Sequence, residues 1–268
     1  MSEIIYWQPV YITINVKGNH ELIYFDEYSR CIESMVYPAD TSPLLNEFCS
    51  SDVVFLQKFC AYFSSLPYYI LLKTTSGTDF IVHGGIPHDQ YIDNCKIDTE
   101  TGTLIIQPED DTAAVQPVLN KVLNDIIWSD PRKAPTKQQG KDSRFEFGEE
   151  QFEHFMSHNS LNRLFRSHEP VGNGVESFYG NRLYTIFSTG GTNNTKSGYQ
   201  NILNPSFGII APNGDIRFES IFFTRINTGD GNACQSEIRY MGEPAPEDFM
   251  KNTDDLHLNE EFYIKQTV

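Results

Sequence analysis

The chain has 268 residues, of which 39% are hydrophobic and 13% aromatic, a composition that excludes a disordered protein. Its 20 basic and 36 acidic residues give a formal net charge of −16, which disfavours nucleic acid and anionic membrane surfaces as partners. No apolar stretch approaches the roughly 18 residues of a membrane-spanning helix, and no secretory signal is visible. We therefore expect a globular, cytoplasmic protein.

The first third of the chain predicts strands and helices in turn. A run that is apolar on both faces predicts a strand over 10–16. Apolar residues at helical spacing then predict a helix over 21–36 and another over 53–64. Two further apolar runs, 68–73 and 79–83, predict strands joined by a short turn.

The middle of the chain begins with a polar, acidic segment over 88–112, which we expect to be a surface excursion. A helix is predicted over 114–127 and ends where Pro131 stops it. The spacing over 149–156 predicts another helix, and the next apolar run predicts a strand that leads into Arg166.

The remainder of the chain predicts mostly β-structure. Turn residues at 180–181 and 213–214 predict two hairpins. After about residue 228 the sequence becomes acidic and contains a proline-rich stretch. We therefore predict one domain over 1–228, followed by an acidic C-terminal tail over 229–268.

Three histidines occupy the same kind of position in this pattern. His20, His83 and His168 each follow an apolar run and adjoin a glycine or serine where a strand meets a loop. In α/β sheets, functional groups collect at the carboxyl ends of the strands. Asn19 precedes the first of these histidines, and imidazole and amide groups suit borderline first-row divalent cations. We therefore expect these three histidines to share one site rather than to be unrelated surface or core residues.

Six short motifs occur in one order along the chain. They are GNHE at 18–21, HGG at 83–85, WSDP at 128–131, FEFG at 145–148, RSH at 166–168 and IFS at 186–188. Over roughly residues 5–225 this order resembles the phosphoprotein phosphatase family of serine/threonine phosphatases, which belongs to the calcineurin-like metallophosphoesterases. The resemblance implies an α+β fold, a β-sandwich flanked by helices, and predicts that this chain lacks the first strands of that fold.

The resemblance also implies roles for individual side chains. Asn19, His83 and His168 match ligands of a divalent metal ion, which would be Mn, Fe or Zn, and Asn19 also matches a phosphate contact. His20 matches the general acid that protonates the leaving oxygen, and Asp130 matches an aspartate that lines the site near the substrate. Family members use two metal ions to activate a hydroxide for attack on phosphorus. The implied substrate is a phosphoprotein or phosphopeptide.

The chain departs from the family at several positions. The motifs GDxHG and GDxxDRG do not occur in it, although in the family they supply the first metal's ligands, the bridging aspartate and the carboxylate behind the catalytic histidine. Lys17 stands where the family has an arginine before GNHE. Lys141 stands where a phosphate-binding arginine is usual, with Arg144 near enough to replace it. Lysine lacks the bidentate phosphate contact of arginine. The residues present predict at most one metal ion, bound weakly.

Three accounts fit these departures. The chain is a phosphatase whose remaining motifs are encoded upstream of this sequence, a pseudophosphatase that binds a phosphopeptide or protein without turnover, or a one-metal hydrolase. The first is favoured because the run over 10–16 has the composition of an interior strand and because Asn19, His20, His83 and His168 are all present. On this account the 268-residue chain alone should hydrolyse phosphomonoesters barely above background.

Overall fold

The computed structural model describes residues 14–35, 46–47, 52–107, 115–132, 145–190, 199, 201–227 and 232–240. Its helices are α1 (Val53–Ser65), α2 (Asp89–Ile92), α3 (Val115–Trp128) and α4 (Glu149–His158), with a 3₁₀ turn at Asn19–Glu21. Its strands are β1 (Ile23–Asp26), β2 (Cys31–Ser34), β3 (Tyr69–Thr74), β4 (Gly77–Val82), β5 (Cys95–Asp98), β6 (Thr103–Ile106), β7 (Asp130–Pro131), β8 (Glu146–Phe147), β9 (Leu164–Arg166), β10 (Val175–Phe178), β11 (Leu183–Ile186), β12 (Ser206–Ile210), β13 (Ile216–Asn227) and β14 (Asn232–Tyr240). This combination of sheets and helices confirms the predicted α+β class.

A five-stranded sheet with the strand order β10-β11-β9-β4-β3 forms the centre of the fold. β9 pairs in parallel with both of its neighbours, β4 and β11, while the outer pairs are antiparallel. Parallel strands end at the same edge of a sheet. The residues that follow β4 and β9, His83 and Ser167-His168, therefore emerge side by side.

The main hydrophobic core lies between this sheet and helices α3 and α4. Phe80 on β4, Ile126 on α3 and Phe155 on α4 are all 0% exposed, and the rings of Phe80 and Phe155 are 5.8 Å apart. Complete burial of such a side chain stabilises the fold by about 1.5–3 kcal/mol. The helices are therefore held rigidly against the strand that leads into His83.

A second sheet, with the order β12-β13-β14, packs against the first through aromatic rings. The ring of Tyr184 on β11 stacks on Phe165 at 5.4 Å and contacts Phe218 on β13 at 5.3 Å. Aromatic pairs at these separations attract each other beyond their buried area. The contact between two sheets agrees with the β-sandwich that the family resemblance implies.

The predicted helix over 21–36 is wrong, because β1 and β2 form an antiparallel hairpin there. The Asp26 carboxylate accepts hydrogen bonds from the backbone N–H groups of Tyr28 (3.3 Å) and Ser29 (3.0 Å) and so closes a tight turn. Ile23 and Ile32 both face α1 and are buried against it. Turn chemistry at Asp26 and packing on α1 outweigh the helical spacing of the apolar residues.

The predicted surface excursion over 88–112 is also wrong in part. It contains α2 and the β5–β6 hairpin, and Ile92, Cys95 and Ile97 are at most 1% exposed in the main core. Of the strand predicted over 10–16, residues 14–16 have no strand structure, and residues 10–13 lie outside the described residues.

The other predicted elements are confirmed. Helices α1, α3 and α4 lie where helices were predicted over 53–64, 114–127 and 149–156, and strands β3 and β4 lie where strands were predicted over 68–73 and 79–83. Hairpins occur at 180–181 and 213–214, as predicted. The boundary at residue 228 stays a prediction, and β13 pairs with β14 across it. Of the helices that the structure describes, none is long and apolar enough to cross a membrane.

Candidate metal centre

The parallel strands β4 and β9 bring His83 and His168 into contact. The backbone N–H of Ser167 donates to the His83 carbonyl at 3.1 Å, and His168 Nδ1 lies 3.1 Å from His83 Nε2. His168 has a backbone φ of +67°, a left-handed conformation that costs a non-glycine residue about 1–3 kcal/mol. The surrounding contacts must therefore hold this residue in place, as is common at functional sites.

The GNHE motif forms the 3₁₀ turn that delivers Asn19 to the same point. The Gly18 N–H donates to the Glu21 carboxylate at 2.8 Å, which closes the turn. Asn19 is 5% exposed, and its Oδ1 atom lies 2.7 Å from His83 Nε2. A side chain at Gly18 would collide with His83, because its Cβ would be 2.8 Å from His83 Nδ1. His20, half-buried on the same turn, is close enough to act electrostatically on His83.

Three candidate donor atoms lie close together in this cluster. Asn19 Oδ1 and His168 Nδ1 lie 2.7 and 3.1 Å from the same atom, His83 Nε2. That nitrogen has either one hydrogen or one lone pair, so it can make one full hydrogen bond and not two. Adjacent ligands bound about 2.1 Å from one cation are separated by about 3 Å. Both separations from His83 Nε2 are therefore compatible with ligands of one first-row cation.

The electrostatics of this cluster favour neutral ligands. Burial, the Arg166 guanidinium and His20 together lower the pKa of His83 to about 4, so its ring is neutral at pH 7 and has a lone pair to donate. Among the described residues, no three His, Cys, Asp or Glu side chains are arranged so that they alone could hold a metal ion. The candidate centre consists of two imidazoles and one amide, a set without a carboxylate to offset the charge of a cation. We therefore expect weak metal binding.

The lowered pKa of His83 makes stability depend on pH in the absence of metal. The unfolded chain protonates this residue as the pH falls below about 6.5, whereas the folded chain does so only near pH 4. The free energy of unfolding should therefore decrease as the pH falls through this window, by up to about 3 kcal/mol. Urea denaturation with EDTA at pH 7 and pH 4.5 should show a larger loss for the natural chain than for His83→Gln. Equal losses would contradict the assignment.

The two glycines after His83 fix the position of this turn on helix α3. The N–H groups of Gly84 and Gly85 both donate to the Ile126 carbonyl, at 2.9 and 3.2 Å. Helix α3 then ends at Trp128, whose indole meets the His168 ring edge-on at 5.5 Å. The HGG turn therefore packs against the end of α3, where the WSDP motif begins, and Trp128 of that motif contacts His168.

Asp130, the last residue predicted for the site, lies next to this cluster but is buried. It is 6% exposed, and its Oδ1 atom accepts a hydrogen bond from Arg166 Nη2 at 2.7 Å. The same oxygen lies 3.9 Å from His168 Nε2. The structure therefore brings together Asn19, His20, His83, Asp130 and His168, while the chemical role of each stays a prediction.

Lys17, which replaces the arginine that usually precedes GNHE, contacts helix α1. Lys17 is buried and donates through Nζ to the Ser64 carbonyl (2.9 Å), and burial lowers its pKa. Its ammonium also lies 4.7 Å from the ring centre of Tyr68, so it binds the end of α1. Lys141 and Arg144 lie outside the described residues. The sequence analysis predicts no role for Arg166. Its place in an apolar strand, two residues before a candidate ligand, could have indicated one.

The chain is similar in sequence to several serine/threonine-protein phosphatases. No protein-family model matches the chain. Over 207 residues, or 72% of its length, the chain is 28% identical to a probable serine/threonine-protein phosphatase of Encephalitozoon cuniculi and covers 37% of that protein. Over 134 residues, or 48% of its length, it is 31% identical to serine/threonine-protein phosphatase T of Saccharomyces cerevisiae and covers 23% of that protein.

A solved structure of a protein serine/threonine phosphatase from Saccharomyces cerevisiae aligns with 87% of this chain and 62% of its own, at 18% identity and a TM-score of 0.49. The chain spans 37% and 23% of the two curated relatives. The sequence matches agree with the ordered motifs that meet at the candidate centre. The chain is similar in sequence to serine/threonine-protein phosphatases.

Proposed function

We propose that this chain is a metal-dependent phosphomonoester hydrolase that acts on phosphorylated serine or threonine side chains, with a metal-activated water and a histidine general acid. The observation that carries the proposal is the convergence of Asn19 Oδ1 and His168 Nδ1 on His83 Nε2, at 2.7 and 3.1 Å. The phosphatase names of its sequence relatives support it. The cytoplasm remains the expected location.

The residues around the centre have properties that suit this chemistry. A divalent cation such as Mn²⁺, Fe or Zn²⁺, when bound, would polarise the phosphate and lower the pKa of a bound water. The Asn19 amide is neutral at every pH, and His83 is neutral because its pKa is lowered to about 4. His20 adjoins Asn19 on the 3₁₀ turn, which places its ring beside the candidate centre for the role of general acid.

Phosphate release from a phosphoserine peptide tests this proposal. The 268-residue chain with Mn²⁺ should release phosphate slowly, because its described ligands are neutral and hold the metal weakly. His83→Ala should abolish the release. His154→Ala is the matched control, since His154 lies on α4 and pairs with Asp93 at 2.9 Å. Release that persists in His83→Ala, or that His154→Ala abolishes equally, would contradict the proposal.

A second candidate function is phosphopeptide or protein binding without turnover. The observation that favours it is the neutral donor set, since no three His, Cys, Asp or Glu side chains among the described residues are arranged to hold a metal ion. Fluorescence anisotropy with a labelled phosphopeptide distinguishes the two functions. Binding that His83→Ala weakens, with no phosphate released at any Mn²⁺ concentration, would favour a pseudophosphatase.

A further inference from the structure

Arg166 is a charged side chain with no contact to solvent. Its side chain is 0% exposed, although it lies within the central strand β9. Removing a guanidinium from water costs several kcal/mol unless carboxylates pair with it. Two do so here: Nη2 donates to Asp130 Oδ1 at 2.7 Å, and Nη1 donates to Glu169 Oε2 at 3.1 Å. Planar, two-pronged donation of this kind fixes the direction of both acceptors.

The two carboxylates differ in their second neighbour. Asp130 Oδ1 also lies 3.9 Å from His168 Nε2, and both of these side chains are buried, at 9% and 5% exposed. Glu169 is 43% exposed. The separation of 3.9 Å is too long for a hydrogen bond. In a buried setting, however, a fixed negative charge still acts strongly on the imidazole edge that faces it.

This charge favours one of the two neutral tautomers of His168 over the other. A carboxylate opposite Nε2 favours the tautomer with the hydrogen on Nε2, and the lone pair then lies on Nδ1. Nδ1 is the atom that lies 3.1 Å from His83 Nε2. Metal-bound histidines in general have a carboxylate or carbonyl opposite their other nitrogen, and this partner sets their orientation.

We propose that Arg166 is a positioning residue, which fixes the Asp130 carboxylate opposite Nε2 of His168 so that the lone pair of Nδ1 points into the candidate metal centre. The inference rests on the proposed function in that it takes His168 Nδ1 as a ligand. It also gives Asp130 a task different from lining the substrate site: Asp130 acts through His168.

The test uses the full 268-residue chain and two readouts. The first is the tautomer of His168 in the metal-free chain, read from the ring nitrogen shifts in NMR spectra and assigned with His168→Gln. The second is the affinity for Mn²⁺, measured by calorimetry. Asp130→Asn keeps the shape of the side chain and removes its charge. Arg166→Lys keeps the charge but lacks the planar fork, and Glu169→Gln perturbs Arg166 without altering the carboxylate that faces His168.

We expect the Nε2–H tautomer to predominate in the natural chain and to become mixed in Asp130→Asn, with Mn²⁺ affinity lowered about 10–100-fold. For Arg166→Lys, the population of the Nε2–H tautomer and the Mn²⁺ affinity should both lie between those of the natural chain and of Asp130→Asn. Glu169→Gln should keep the tautomer and stay within roughly twofold in affinity, since an exposed partner contributes little. An unchanged tautomer in Asp130→Asn, or an equal loss of affinity in Glu169→Gln, would overturn the assignment. If the tautomer changes as expected but the natural chain binds no Mn²⁺, the positioning role is supported and the proposed function fails.

Discussion

Replacing Gly84 with alanine should destabilise the protein by about 3 kcal/mol, the upper part of the range for overpacked sites. A Cβ at this position would lie 2.5 Å from the carbonyl carbon and oxygen of Ile127 and 2.7 Å from the amide nitrogen of Trp128. These are backbone atoms, which cannot rotate away, so the turn after His83 and the end of α3 must separate. The separation should also move His83 away from His168 and lower the affinity for Mn²⁺.

Gly172→Ala is the matched control for this substitution. A Cβ at Gly172 meets no atom within 4 Å, so its effect on the free energy of unfolding should stay within about 0.5 kcal/mol. Urea denaturation and Mn²⁺ calorimetry on both variants measure the two effects. A Gly84→Ala protein as stable as Gly172→Ala would show that the HGG turn does not rest on α3 in the way described.

Asp79→Ala should cost about 3–5 kcal/mol, since it leaves a partly buried arginine without its carboxylate. Asp79 is 0% exposed and accepts hydrogen bonds from Arg163 Nε at 2.9 Å, from Arg163 Nη2 and from Asn162 at 3.2 Å. The backbone N–H of Phe80 donates to the Arg163 carbonyl nearby, at 2.8 Å. This network joins the start of β4 to the residues before β9, the two strands that end at His83 and His168.

Glu100→Ala provides the contrast, since Glu100 forms an exposed ion pair with Lys73 at 3.1 Å. Exposed pairs of this kind contribute about 0–1 kcal/mol. The two variants each remove one carboxylate, so the change in net charge is the same. Chemical denaturation should therefore separate them by at least roughly 2 kcal/mol. A similar decrease in the free energy of unfolding for Asp79→Ala and Glu100→Ala would contradict the role of Asp79 in joining the two parallel strands.

The convergence of the site was predictable because it depends on a simple property of sheets. His83 and His168 each follow a short apolar run, and parallel pairing of β4 with β9 brings their ends to one edge. The position of Asn19 followed from the family resemblance of the GNHE motif, since residues 14–16 before it form no strand. The strands that deliver these side chains therefore appear in the sequence as local patterns.

The parts that could not be predicted depend on tertiary contacts. The hairpin over β1 and β2 has apolar residues at spacings that also suit a helix. The turn at Asp26 favours the hairpin, and the packing of Ile23 and Ile32 on α1 stabilises it. The pairing of Arg166 with Asp130 joins residues 36 positions apart. Nothing local to either residue indicates that pairing. The burial of Cys95 and Ile97 within a polar segment likewise depends on the core beside them.

Titration of the 268-residue chain with Mn²⁺ tests the central claim most directly, which is that Asn19, His83 and His168 form one metal centre. Electron paramagnetic resonance of unbound Mn²⁺ counts the ions bound per chain and gives the affinity. The account predicts no more than one ion, bound weakly, with an affinity that Asn19→Ala, His83→Ala and His168→Ala each lower by roughly tenfold or more, while His154→Ala leaves it unchanged. Two tightly bound ions per chain, or an affinity that none of the three substitutions alters, would contradict it.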